Sequence, residues 1–249
     1  AFMGLFVALV ATFALGPPGF ADAASDIKVS DEVIRGGLKI RKLVPIDGGS
    51  VAQGDTNVAG TTFTVSLAQG NDVYVNGNWY QSGQVVCTIT SGADGWASTG
   101  TTTLPYGTYT IREQNVNAGQ DKASNGTWSK TVSVRSQSTV VDAGSVTNPM
   151  WRGTICVRKR DAQTNAASQG EATLAGTEFR IYNRSKAPIT YIDASGASHR
   201  VAVHAAVPDT IITGEDGFAT LPANSLEYGT YEVVEVHPPT DNDGNLMYL

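Results

Sequence analysis

Lys42, Glu113 and Asn148 are polar residues placed where strand geometry aims them at an apolar interior. Side chains on a β-strand alternate between its two faces, so residues of one parity share a side. Leu38, Ile40 and Lys42 share parity, as do Tyr109, Ile111 and Glu113, and so do Val146 and Asn148. A later stretch repeats most of this, with Ile155, Val157 and Lys159 in one row and Tyr231, Val233 and Glu235 in another. A buried charge is costly unless it is paired, so such groups tend to shift their pKa and go neutral. A neutral lysine amine can attack an asparagine side-chain carbonyl while a protonated glutamate polarises that carbonyl and shuttles protons. Ammonia leaves and an amide cross-link remains. The competing reading lets Lys42 and Lys159 snorkel at strand ends toward surface carboxylates.

The elements that would position these groups come in two copies. Arg35-Gly36-Gly37-Leu38-Lys39-Ile40-Arg41-Lys42 returns as Arg152-Gly153-Thr154-Ile155-Cys156-Val157-Arg158-Lys159. Ala59-Gly60-Thr61-Thr62-Phe63 returns as Ala175-Gly176-Thr177-Glu178-Phe179, and Asp94-Gly95-Trp96-Ala97 as Asp216-Gly217-Phe218-Ala219. Leu104-Pro105-Tyr106-Gly107-Thr108-Tyr109, running on to Glu113, returns as Leu226-Glu227-Tyr228-Gly229-Thr230-Tyr231, running on to Glu235. The order is kept and the offset stays between 116 and 122 residues, which is the signature of a tandem domain. Each copy reads as short alternating segments between turn signals, as an antiparallel sandwich requires. Thr61–Ser66, Val85–Thr90, Thr108–Glu113 and Lys130–Val134 are the strands expected in the first copy, with turns at Gly70-Asn71, Asn76-Gly77 and Asp94-Gly95. No amphipathic helix of three turns is evident.

Composition agrees. The chain has 249 residues, of which 41% are hydrophobic and 16% charged, with a net charge of −6. That apolar content supports packed cores and excludes wholesale disorder. Seventeen Lys and Arg against 23 Asp and Glu argue against a nucleic-acid partner. Residues 2–15 form an apolar run followed by Gly16-Pro17-Pro18-Gly19 and Ala21-Asp22-Ala23, the pattern of a secretory signal peptide clipped at its start. The expected organisation is a signal peptide over 1–23, a linker over 24–34, one β-sandwich over 35–149 and a second, incomplete one over 150–249. The second copy stops soon after Glu235, so an open sheet edge and easier proteolysis are expected there.

The series Lys42, Gly60-Thr-x-Phe63, Asp94-Gly-x-Ala97, Leu104-Pro-x-Gly-x-Tyr109, Glu113 and Asn148-Pro149 resembles the collagen-adhesin B-type domains and SpaA-like pilin domains of Gram-positive surface proteins. The resemblance spans residues 35–249. It implies tandem prealbumin-like, immunoglobulin-like antiparallel sandwiches carrying a spontaneous Lys–Asn isopeptide bond. Carried over by position, Lys42 is the amine, Asn148 the acceptor and Glu113 the catalyst. In the second copy Lys159 and Glu235 match, but no Asn-Pro acceptor follows them within this sequence.

Weaker signals are set aside. Leu104-Pro105-Tyr106-Gly107-Thr108 is a strand-entry turn, because its Gly and Thr stand in the reverse order of a sortase signal. Asp241-Asn242-Asp243-Gly244-Asn245 begins like a calcium loop but lacks the closing glutamate. His199, His204 and His237 have no metal-ligand spacing. Cys87 and Cys156 fall in different copies, and their pairing stays open. The sequence thus describes a secreted, cell-surface or cell-wall structural protein, a stalk or pilin-like segment of an adhesin, with no cofactor or metal and no turnover chemistry. Its partners are neighbouring domains of the same surface protein, with the membrane met only through the signal peptide. The alternative is a module binding a carbohydrate or a host extracellular-matrix protein through Trp79 and Tyr80, with Tyr74 beside them; ordinary hairpin packing competes with it. A third reading is the accessory domain of an exported enzyme.

Overall fold

A computed structural model describes residues 30–165 and 168–248. The expected signal peptide and most of the expected linker lie outside the described residues. The chain divides into a unit over residues 1–32 and a compact unit over residues 33–249, and the strands all belong to the latter.

The first copy contains β1 (Arg35–Leu43), β2 (Ala52–Gln53), β3 (Thr56–Asn57), β4 (Thr62–Gln69), β5 (Val73–Val75), β6 (Asn78–Tyr80), β7 (Val85–Thr90), β8 (Trp96–Ser98), β9 (Leu104–Pro105), β10 (Gly107–Glu113), β11 (Ser129–Val134) and β12 (Val140–Thr147). One sheet runs β12-β1-β8 with β9 also paired to β1; the other runs β11-β10-β4-β7. Between them lies a core of Leu38, Ile40, Phe63, Val65, Tyr109, Ile111, Val132 and Val146, the apolar halves of the alternating strands. The four strands expected from sequence are present to within a few residues of their ends.

One pairing departs from the antiparallel expectation. β1 and β12, the first and last strands of this domain, run parallel, with Lys42 opposite Val146. Their register shifts between Lys39 and Arg41, where Gly144 stands at φ +86°. A bulge of this kind inserts a residue and turns the strand over. Ala143 and Asn148 have opposite parity, yet both are buried, because the bulge between them re-aims everything after it.

The second copy contains β13 (Arg152–Gly153), β14 (Cys156–Arg158), β15 (Glu178–Asn183), β16 (Ile189–Ile192), β17 (Ser198–Val201), β18 (Ile211–Ile212), β19 (Phe218–Thr220), β20 (Leu226–Glu227) and β21 (Tyr231–His237). It has its own core, including Phe179, Ile181, Tyr191, Val201, Leu221 and Leu226. β14 pairs with β19, and β21 with β15. Among the described residues no strand covers the other edge of β14 or of β21.

The domains meet through the β2–β3 hairpin, whose base packs on the small cluster of Val44, Ile46 and Val58. Its tip enters one end of the second domain. Gln53 Nε2 donates to Glu227 Oε2 at 2.6 Å, and Gly54 exchanges backbone hydrogen bonds with Pro188 and Ala187. The Asp55 carboxylate accepts from the Lys186 N–H at 3.0 Å and from the Thr230 hydroxyl at 2.6 Å. Gly54 stands at φ +57°, and a Cβ there would lie 2.2 Å from the Tyr228 carbonyl oxygen.

Candidate cross-linking site

Lys42, Glu113 and Asn148 converge inside the first domain. Lys42 is the last inward residue of β1 and is fully buried. Glu113 ends β10 on the opposing sheet, beside Phe63. Asn148 follows β12 and is also buried. The two sheets therefore bring a lysine and an amide from one layer against a carboxylate from the other.

Glu113 is the hub. Lys42 Nζ lies 3.4 Å from Glu113 Oε1, at ion-pair distance but outside hydrogen-bonding geometry. Asn148 Nδ2 donates to the same Oε1 at 3.1 Å, and the Ala123 N–H donates to Oε2 at 3.3 Å. Asn148 Oδ1 is buried with no donor among the described residues. Desolvation pulls the Lys42 ammonium down from 10.5 to about 8, against the opposing pull of the nearby Glu113 carboxylate. A substantial fraction of this amine is therefore neutral near pH 8. A surface cavity of about 510 Å³, lined by Ala123, Trp128, Val146, Asn148 and Pro149, opens beside the amide.

The Asp94-Gly95 turn holds the lysine's backbone. The Lys42 N–H donates to the Gly95 carbonyl at 2.8 Å, and a Cβ on Gly95 would stand 2.2 Å from the Lys42 oxygen. Asp216-Gly217 does the same for Lys159, whose N–H donates to the Gly217 carbonyl at 2.8 Å. Asp94-Gly95 is legible in the sequence as a turn; the close approach that it and Asp216-Gly217 make to the lysine strand carries no signal beyond the repeat itself.

In the second domain the matching pair is open. Lys159 Nζ lies 2.8 Å from both Glu235 oxygens, but the two side chains keep 18% and 34% of their surface. The inward row expected for Tyr231, Val233 and Glu235 is not buried: Tyr231 is half-buried, and Val233 and Glu235 are exposed. Val233 is 38% exposed, because parity makes residues share a side without supplying anything to cover it. The Tyr248 ring stands 5.7 Å from Lys159 Nζ.

The remaining candidates are dispersed. Trp79 is 67% exposed and faces Tyr74 across the β5–β6 hairpin with ring centroids 5.2 Å apart, while Tyr80 packs against the core. Cys87 and Cys156 are free thiols, the former half-buried and the latter exposed. Asp241 accepts the N–H groups of Asp243 and Asn245, so its loop is closed on itself. His199, His204 and His237 contact Asp193, Arg184 and Glu178 respectively.

The family profile described as SpaA, prealbumin-like fold domain, matches the chain twice, over residues 50–146 and 154–245. No curated protein matches it. Among solved structures the chain is similar to the TIE protein of Bacillus anthracis, with 20% identity over 82% of this chain and 29% of that one, at a TM-score of 0.47. A streptococcal ancillary pilin is 23% identical over 84% of this chain and 56% of its own, at a TM-score of 0.35. The shaft pilin SpaA of Lactobacillus rhamnosus GG is 15% identical over 82% of this chain and 89% of its own, also at 0.35. The chain thus spans less than two thirds of the length of the first two.

Proposed function

Because the chain belongs to the SpaA family of prealbumin-like fold domains, we propose that it is a stalk or pilin-like segment of a secreted, cell-surface structural protein, whose first domain closes an amide bond between Lys42 and Asn148. The observation that carries this reading is the buried Lys42–Glu113–Asn148 cluster, with the Lys42 amine and the Asn148 carbonyl oxygen both lacking hydrogen-bond partners among the described residues. Two buried ionic groups cost several kcal/mol each unless well compensated. Glu113 also accepts from Asn148 and the Ala123 N–H, but for Lys42 the compensation is one long contact, so a reaction that consumes the ammonium relieves the strain.

The chemistry balances without a cofactor. Transfer of a proton from Lys42 to Glu113 leaves a neutral amine beside a carboxylic acid. Half a turn of the Asn148 amide brings Oδ1 to that acid, which polarises the carbonyl. The Lys42 lone pair attacks Asn148 Cγ, and the new Nζ–Cγ bond forms as Oδ1 takes the proton. Glu113 then accepts a proton from Nζ and passes it to Nδ2. The Cγ–Nδ2 bond breaks, Oδ1 returns its proton as the carbonyl re-forms, and ammonia leaves by the cavity lined by Trp128 and Pro149. The step occurs once per molecule, so the protein modifies itself and is not a turnover enzyme.

Intact-mass measurement of residues 24–249 tests it. The expected mass is about 17 Da, one ammonia, below that calculated from sequence. Glu113→Ala, Lys42→Ala and Asn148→Ala should each have their full calculated mass. A folded wild-type chain at full mass overturns the proposal. A glycan- or matrix-binding role is the second reading, favoured by the exposure of Trp79; loss of glycan or collagen binding in Trp79→Ala would support it.

A further inference from the structure

The joint between the two domains is built from parts that the chain carries twice. Gln53-Gly54-Asp55, the hairpin tip seated in the second domain, recurs as Gln169-Gly170-Glu171 at the same 116-residue offset as the Ala-Gly-Thr repeat that follows. The two glycines share a left-handed conformation, φ +57° and φ +55°. Gln169, Gly170 and Glu171 are exposed. The second domain thus presents an exposed copy of the plug sequence, whose Gln169 amide donates within its own domain to Asp161 Oδ1 at 2.9 Å and Gln163 Oε1 at 3.0 Å.

The socket is duplicated too. In the second domain it surrounds Arg152, which donates to the Thr190 carbonyl at 3.1 Å and the Ser225 carbonyl at 3.1 Å. In the first domain Arg35 donates to the Tyr74 carbonyl at 2.7 Å and the Thr103 carbonyl at 3.2 Å. The Tyr228 N–H donates to the Trp151 carbonyl, and the Tyr106 N–H to the Ile34 carbonyl. The Tyr231 hydroxyl donates to the Glu227 carbonyl, and the Tyr109 hydroxyl to the Pro105 carbonyl. These four matched contacts identify one construction at the same end of both domains. In the second domain that end receives Gln53-Gly54-Asp55. In the first it is a cavity of about 440 Å³ with Tyr74, Trp79 and Tyr106 exposed around it.

We propose that this cavity is a docking socket for the Gln169-Gly170-Glu171 loop of a second copy of the chain, so that molecules associate head to tail through a repeat of their own interdomain joint. The charges are complementary. Asp55 reaches the Thr230 hydroxyl in the existing joint; the equivalent Thr108 hydroxyl accepts from Arg135 Nη2 at 3.0 Å, so a Glu171 carboxylate arriving there meets a guanidinium. Exposed aromatic rings at the rim supply apolar area to bury. One feature is weaker. Pro105 stands where Glu227 receives Gln53, so the amide of Gln169 finds no carboxylate in the first domain. The association is therefore reversible and looser than the joint within the chain. A plug on one end and a socket on the other make a heterologous contact, which propagates into open chains rather than closed dimers. The inference does not depend on the Lys42–Asn148 bond.

Sedimentation velocity of residues 24–249, from micromolar to about 1 mM, tests it. Wild type should show a concentration-dependent series of species extending past the dimer. Glu171→Lys, on an exposed loop, and Arg135→Glu should each weaken association about tenfold or more. Mixing these two variants pairs the Glu171→Lys plug with the Arg135→Glu socket and the native Glu171 plug with the native Arg135 socket, so it should restore open chains in which the two variants alternate. Pro105→Glu should tighten association. Should Arg135→Glu fail to fold, Glu171→Lys and Pro105→Glu still decide the matter. A chain monomeric throughout, association unmoved by Glu171→Lys, or a symmetric dimer that goes no further overturns the proposal.

Discussion

Lys42 Nζ stands 3.4 Å from Glu113 Oε1 with both side chains shut off from solvent, whereas the repeat-related Lys159 and Glu235 meet at 2.8 Å with both partly wet. The closer pair is the less consequential one. Distance alone ranks them wrongly, because an exposed ion pair is screened by water while a buried one must be compensated by its immediate neighbours.

Titration separates the two states of Lys42. In Asn148→Ala the amine cannot be consumed, so it stays titratable. Its folded pKa, about 8, lies below the unfolded 10.5, so between these values the unfolded chain binds more protons and stability rises with pH. Below pH 8 the penalty is fully present and the curve is flat. Burial also raises the Cys87 thiol above its usual 9.0 and pushes Tyr109 up to about 12. Both act in the opposite sense, from about pH 9 and pH 10 respectively, so the Lys42 contribution is read between pH 8 and 10 as the difference from Lys42→Met. Urea denaturation of Asn148→Ala should show a gain of roughly 2–3 kcal/mol across that window. Cross-linked wild type and Lys42→Met should lack this gain.

Glu235→Gln tests the exposed pair. The loss of stability should stay within about 0.2–1 kcal/mol and shrink in high salt. A loss of several kcal/mol would mean that Lys159 and Glu235 are covered in solution by a further segment or partner.

Two glycines with nearly the same backbone conformation should respond differently to alanine. Gly60, at φ +86°, has open space where a Cβ would go; Gly95, at φ +82°, would place it 2.2 Å from the Lys42 oxygen. Gly60→Ala should cost only the left-handed strain, about 1–2 kcal/mol. Gly95→Ala carries that cost and also displaces the lysine strand, so it should leave a measurable fraction of molecules at the uncross-linked mass. Full cross-linking in Gly95→Ala would remove the turn from any part in positioning Lys42.

These contrasts mark what sequence alone could reach. Parity sufficed for Lys42 and Glu113 because each ends an unbroken alternating row packed against the opposite sheet. It worked for Asn148 only when counted from Val146, since the bulge at Gly144 reverses the faces and Ala143 points inward from the other parity. It failed for Val233 because a covering layer is a tertiary fact. The parallel pairing of β1 with β12 was hidden for the same reason: residues about 100 apart meet without any local signature. Gln53-Gly54-Asp55 reads locally as a turn, and its seat in the second domain appears only once both copies are folded.

Glu227 should couple the two domains into one unfolding unit. Its side chain is 3% exposed and receives three donors: Gln53 Nε2 at 2.6 Å, the Thr190 N–H at 2.7 Å and Arg152 Nη2 at 2.9 Å. Gln53 comes from the first domain and the others from the second, so this carboxylate ties both to one acceptor. Glu227→Ala leaves the Arg152 charge and two other donors without their acceptor, and losing one partner of a buried pair costs about 3–5 kcal/mol. Calorimetry of the wild-type chain should give a single transition or two closely overlapping ones. In Glu227→Ala the second domain should melt at lower temperature and separately, while the first keeps its transition because its core and the Lys42 cluster are untouched. Gly54→Val, which drives a side chain into the Tyr228 carbonyl oxygen, should produce the same separation without touching the ionic network. Both variants melting in one sharp transition like wild type would show that the coupling runs elsewhere, through Trp151 and Tyr228, whose rings pack edge to face at 6.1 Å.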